Sequence, residues 1–118
     1  MASHENLIAE AEQARRLFEQ RLAPTELLRD LYLSYNPSVE IDSFLERAAR
    51  LFPRLNCGLT AVYLRHQLRM GEVRRGSYDG TRHTFVELGG LAIDITADQF
   101  GGPPVYVGPV RSPWSLEV

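Results

Sequence analysis

The chain has no lysine: its 13 basic residues are all arginine, set against 15 acidic residues for a formal charge of -2. Without an excess of positive charge there is no electrostatic footprint for nucleic acid. A lysine-free chain also has no lysine amine of its own to give to an isopeptide bond, although the arginine bias of a GC-rich genome accounts for the lack equally well. Cysteine occurs once, so no internal disulfide forms and the fold needs no oxidising compartment. No apolar run approaches the length of a membrane span, and the opening MASHENLIAEAEQARR is charged and amphipathic rather than a signal peptide. The expectation is a cytoplasmic protein with neither a membrane nor a nucleic-acid partner. What is present is 118 residues, 44% hydrophobic and 24% charged, which suits a single domain over 1–118 with one core.

Leu7, Ala11, Ala14, Phe18 and Leu22 recur at helical spacing, with Ser3 as N-cap and Pro24 beyond the end, predicting a helix over 4–22. A second follows over 25–34. Ser38 is placed to cap a third, whose inward stripe is Ile41, Phe44, Leu45, Ala48 and Phe52 before Pro53 stops it. A fourth begins at or beside Cys57, with Ala61, Leu64 and Leu68 on its stripe and Gly71 as a left-handed stop. After the helical part, 4–70, the texture changes. EVRRGSY, RHTFVEL and LAIDITA are separated by Asp79-Gly80 and Gly89-Gly90, both two-residue hairpin signals. The β part is expected over 72–107, with one short edge strand at 105–107 inside a Pro/Gly-rich tail over 101–118. Helices first and an antiparallel meander after them predict an α+β fold.

The segment RHTFVELGGLAIDIT fixes a register if Gly89 and Gly90 occupy the centre of a tight turn. Leu88, Val86 and Thr84 then face Leu91, Ile93 and Ile95 on one side of the ribbon, while Glu87, Phe85 and His83 face Ala92, Asp94 and Thr96 on the other. His83 and Asp94 become diagonal neighbours on one face, roughly 7 to 8 Å apart at Cα. A slip of one residue would separate them. The Val86, Leu88, Leu91, Ile93 face is the more apolar, so either the sheet is covered on both sides or the Cys57 helix meets it near one margin.

A carboxylate that accepts a hydrogen bond from one imidazole nitrogen fixes the ring's tautomer and aims the other nitrogen at a proton it can take and return. The missing part is a nucleophile, and Cys57 at a helix N-terminus supplies one, because the helix dipole and a neighbouring imidazolium favour the thiolate. The free amides of that first turn suit an oxyanion, with the Asn56 side chain as an additional donor. Against this stands the plain reading of Cys57 as core packing, of His83 as a strand-end group and of Asp94 as an edge charge. Asp94 argues against it, by interrupting LAIDIT where an apolar residue would continue the run.

The order NCGLTAVYLRHQLRMGEVRRG, then HTFVELGGLAIDIT, resembles the transglutaminase-like, papain-related thiol enzymes. In that family a cysteine opens a helix, a histidine heads a strand with an H-x-W/F-V-E pattern, and an aspartate follows on the next strand in a D-x-T setting. The matching positions are Cys57; His83 with Phe85, Val86 and Glu87; and Asp94 with Thr96, so the likeness covers about residues 55 to 100. DITADQF is also similar to the ending of small bacterial members. The resemblance implies attack by the thiol on a carboxamide or peptide carbonyl, giving a thioester that water or an amine resolves, with no cofactor or metal and with a protein or peptide as substrate. The chain is far shorter than a cross-linking transglutaminase, has Phe85 where tryptophan is common, and lacks a calcium-loop signature. These departures favour hydrolysis, by a glutamine deamidase or a narrow-specificity peptidase, over acyl transfer.

Other groups read more plainly. His66 sits at no usual zinc spacing and suits a solvated helix face. Arg65, Arg69, Arg74 and Arg75 suit a solvated face too, with contact to an acidic substrate or a phosphate as the sharper option. Tyr32, Tyr35 and Tyr63 read as the edge of the core. Glu87 ranks behind Asp94 as the orienting carboxylate, and Asp98 and Gln99 fall in a loop where a site's second layer is often found. Two further readings stand. One is a non-catalytic binding module that engages a protein through GGPPVYVGPVRSPW or the first helix; the other is a peptide-processing protease that works beside a leader-recognition protein.

Overall fold

A computed structural model describes residues 3–117. Four helices come first, α1 (His4–Glu19), α2 (Thr25–Tyr35), α3 (Ile41–Leu51) and α4 (Cys57–Leu68). Five strands follow, β1 (Glu72–Tyr78), β2 (Thr81–Leu88), β3 (Leu91–Asp94), β4 (Tyr106–Pro109) and β5 (Trp114–Leu116), with a 3-10 turn at Ala97–Phe100 after β3. The strands form one antiparallel sheet in the order β4-β3-β2-β1-β5, so the fold is α+β. Among the described residues no helix is long and apolar enough to cross a membrane.

The helices end where backbone groups find partners, and this shifts two expected boundaries. Ser3 accepts from the Asn6 amide and caps α1 as anticipated. The far end stops at Glu19 rather than 22. Arg21 turns left-handed (φ 57°), and the Leu22 and Arg21 amides reach back to the Leu17 and Phe18 carbonyls, closing a Schellman motif that throws Leu22 into solvent. In α4 the left-handed cap is Arg69 (φ 57°), two residues before the expected Gly71. Gly71 matters for another reason: a Cβ there would press on the Val86 side chain and the Glu87 carbonyl, where the chain enters the sheet. The third helix starts at Ile41 after Glu40, and Ser38 lies in the preceding turn.

Between β2 and β3 the register is Leu88↔Leu91, Glu87↔Ala92 and Val86↔Ile93, the one the glycine pair implied, and the ladder ends there. Both faces of the sheet are covered. Val86, Ile93 and Ile95 join the helical core with Leu59, Tyr63 and Leu64, whereas Phe85 and Ala92 pack with Tyr78, Ala97 and Trp114 on the reverse face. The second cluster exists because the tail folds back. β5 pairs with β1 on the edge opposite β4, and bare Gly76 leaves room for the Ser115 carbonyl, which any Cβ would strike. The Pro/Gly-rich tail is therefore a structural part of the sheet through residue 116.

A buried arginine ties α1 to the strand ends. Arg15, buried on α1, donates through both terminal nitrogens to Asp98 (2.8 Å each) and through one of them to the Ile95 carbonyl (2.8 Å). Its guanidinium also lies over the Phe52 ring, 4.6 Å from the centroid. The loop after β3 is thereby pinned against α1.

Candidate active site

Cys57 is the first residue of α4, and the four leading amides of a helix have no partner within it. Asn56 precedes it without capping them, since its side-chain amide donates to the carbonyls of Ala48 (2.8 Å) and Arg54 (2.7 Å). Asn56 is only 1% exposed, so it serves as a buried clamp on the loop before the cysteine. With both amide hydrogens committed, its side chain is not the oxyanion donor the sequence suggested. Cys57 as a residue is half-buried.

His83 lies on β2 and is fully buried, at 0% exposure, and Asp94 ends β3 at 2%. Beyond Val86↔Ile93 the two strands part, and the imidazole bridges the gap, with Nε2 2.7 Å from Asp94 Oδ2. The same carboxylate oxygen accepts the Trp114 indole N–H (2.8 Å), while Oδ1 accepts the Thr96 backbone N–H (2.9 Å). Such a carboxylate is held by donors on three sides and fixes the imidazole it touches. The ring is further boxed in by aromatics, with Phe100 edge-on at 5.1 Å, Phe85 at 5.9 Å and Tyr78 at 6.4 Å between centroids.

The opposite ring nitrogen, Nδ1, is buried and makes no well-formed hydrogen bond. Cys57 is close enough to the ring for the two groups to interact. Each moves the other's protonation. Burial disfavours a thiolate, but His83 and the amides of Thr84 and Gly58 outweigh it and bring the Cys57 pKa below its ordinary value. Burial likewise disfavours an imidazolium, yet Asp94 and then Cys57 raise His83 from 6.5 to about 9. Both directions shift the pair towards a thiolate and an imidazolium.

The other candidates separate from this centre. Glu87 accepts from Arg74 (2.9 Å) and from the Gly90 amide (3.2 Å) at the turn end of the hairpin, so it does not orient His83. Gln99 lies in the 3-10 turn beside Phe100, and its buried Nε2 donates to nothing among the described residues. His66 is exposed on the last turn of α4. Among the described residues no cluster of three or more His, Cys, Asp or Glu side chains is arranged to hold a metal ion. Arg74 pairs with Glu72 and Glu87, whereas Arg75 lines a hollow with Tyr32, Tyr35 and Arg82.

Comparison with known proteins returned no match: no family model, no curated protein and no solved structure resembles the chain closely enough to count. What the fold and side chains show together is an α+β domain with a buried His83–Asp94 hydrogen bond and Cys57 near the imidazole. Sequence reasoning missed Trp114, since an isolated tryptophan twenty residues from Asp94, in a tail rich in proline and glycine, carries no periodic signal. It also left Tyr32 and Tyr35 as core edge. Tyr32 does belong to the core and Tyr35 packs against it, and both also border a hollow beside the first turn of α4.

Proposed function

We propose that the protein is a cysteine-dependent amide hydrolase of transglutaminase-like type, acting on a protein or peptide through a thioester. The observation that carries this reading is the buried hydrogen bond from His83 Nε2 to Asp94, with the opposite ring nitrogen unsatisfied and Cys57 close enough to interact with the ring. A structural cysteine is usually inert and sealed in apolar surroundings; here it is partly exposed, at a helix N-terminus, next to a cation.

The chemistry follows from the geometry. The Cys57 thiolate attacks the amide carbonyl carbon, forming a C–S bond and pushing the carbonyl pair onto oxygen. The unpaired amides at the start of α4 are suited to receive that oxyanion. The intermediate collapses as the C–N bond breaks, and the His83 imidazolium gives its proton to the departing nitrogen. Water then enters: His83 takes a proton from it, the hydroxide attacks the thioester, and the C–S bond breaks to return the thiolate and release an acid. Asp94 keeps the ring's orientation and its charge throughout. No step calls for a cofactor, and a working thiolate fits the reducing cytoplasm.

The products distinguish the branches of this reading. Incubating the protein with glutamine-containing proteins and peptides, followed by mass spectrometry, is expected to show conversion of an amide to an acid, or cleavage at a peptide bond. An acyl adduct on Cys57 should be trapped on acid quench. Joined species would mean transfer to an amine, and substrates left intact with no adduct would contradict the reading.

A further inference from the structure

The register of β1 and β2 places Arg75 opposite Thr84 and Ser77 opposite Arg82, so both guanidiniums rise from the same face of neighbouring strands as diagonal neighbours. Further along that face Val73 and Val86 are covered by the helical core, and towards Arg82 the cover ends. The result is a hollow of about 340 Å³ lined by Tyr32, Tyr35, Asn36, Arg75, Arg82 and Thr84. It lies beside the first turn of α4, which Cys57 opens: the Tyr32 and Tyr35 rings that line it lie 3.4 Å from where a Cβ on Gly58, the next residue, would stand.

The lining holds two positive charges and no carboxylate. Arg74, one residue away on the reverse face, is paired with Glu72 and Glu87; Arg75 and Arg82 have no ion-pair partner among the described residues. Glu117 is tied to Arg75 only through its backbone N–H (3.0 Å to the Arg75 carbonyl) and makes no ion pair with either arginine. Like charges on adjacent strands repel, and an anion seated between them would relieve that repulsion. Guanidiniums recognise carboxylates in particular, with paired donors in a fixed plane, and tyrosine faces accept the apolar stem that leads to one.

Resting on the reading of Cys57 as a nucleophile, we propose that this hollow selects an acidic peptide. Arg75 and Arg82 hold a carboxylate of the substrate next to the attacked carbonyl, while Tyr32 and Tyr35 pack against the carbons between. The two arginines are specificity determinants and take no part in bond making.

The test compares alkylation of Cys57 by iodoacetate, which carries a carboxylate, with alkylation by neutral iodoacetamide. The ratio of the two rates in the wild-type protein should fall about three- to fivefold in Arg75→Gln and again in Arg82→Gln, the size expected for losing one unit charge a few ångströms away in water. Arg111→Gln, at an exposed site off the hollow, should leave it unchanged. The iodoacetamide rate alone should be nearly the same in all variants, which reports an intact site and fold. A ratio that both hollow variants leave unmoved, or that Arg111→Gln lowers as much, overturns the inference while the nucleophile stands. An iodoacetamide rate no faster than that of a free thiol overturns the nucleophile, and the selection with it. Peptides bearing Asp or Glu beside a target glutamine should then react faster than their Asn or Gln counterparts, and equal rates would also refute the proposal.

Discussion

The two ends of the β2–β3 hairpin each carry a carboxylate on the same face of the ribbon, and they behave differently. At the turn end Glu87 is part-exposed and shares Arg74 and the Gly90 amide, an arrangement that surface charges adopt readily. At the open end Asp94 is buried and accepts from His83, Trp114 and Thr96. Alternation along the strands put both on one face. What separates them is the tail, which returns as β5 and brings Trp114 over Asp94 but leaves Glu87 at the edge. A carboxylate becomes able to position an imidazole when its own oxygens are fixed and dry.

Substitution should split the two ends most widely. Asp94→Asn is expected to lower acyl-enzyme formation by about 10³- to 10⁴-fold, the scale seen when an orienting carboxylate loses its charge. Glu87→Gln should change it less than about twofold, since the pair with Arg74 is near the surface. Single-turnover kinetics on one amide substrate measures both, and similar losses would erase the distinction. Arg15 and Arg74 give the same contrast in stability. Arg15→Ala leaves the buried side of Asp98 and the Ile95 carbonyl without their donor and should cost about 3 kcal/mol or more. Arg74→Ala should cost under about 1 kcal/mol in denaturant titration.

A smaller effect tests the tail. Trp114→Phe keeps the ring in its cluster and removes the N–H that reaches Asp94, so it should cost about 1.5 to 3 kcal/mol. It should also lower the acyl-enzyme rate more than the stability loss alone accounts for under fully folded conditions. A variant with unchanged turnover would show that Asp94 is adequately fixed by Thr96. The smallest effect is in pH dependence. His83 titrates near 9 in the fold against 6.5 unfolded, so the stability it contributes is complete below about 6.5 and fades as pH rises through about 9. The wild-type advantage over Asp94→Asn should shrink across that window in denaturation midpoints, and an advantage that grows towards alkaline pH would contradict the assignment.

Much of this was legible in the chain, for identifiable reasons. Gly89-Gly90 fixed a register, and register alone brought His83 and Asp94 to one face. The start of α4 at Cys57 followed from the proline and stripe pattern. Helix ends were less readable, because Arg21 and Arg69 take the left-handed position that glycine usually marks. The role of Asn56 was hidden as well, since its carbonyl partners at Ala48 and Arg54 belong to the preceding helix and loop and carry no sequence signature. The tail strand and the hollow arise from long-range folding, where local propensity says little.

The most direct measurement is the pH profile of Cys57 alkylation by iodoacetamide in the wild-type protein and in His83→Gln. A thiolate held by an imidazolium predicts labelling that persists into mildly acidic pH in the wild type and moves to the alkaline range of an ordinary thiol in the variant. A wild-type profile like that of a free thiol, unmoved by the substitution, would contradict the account.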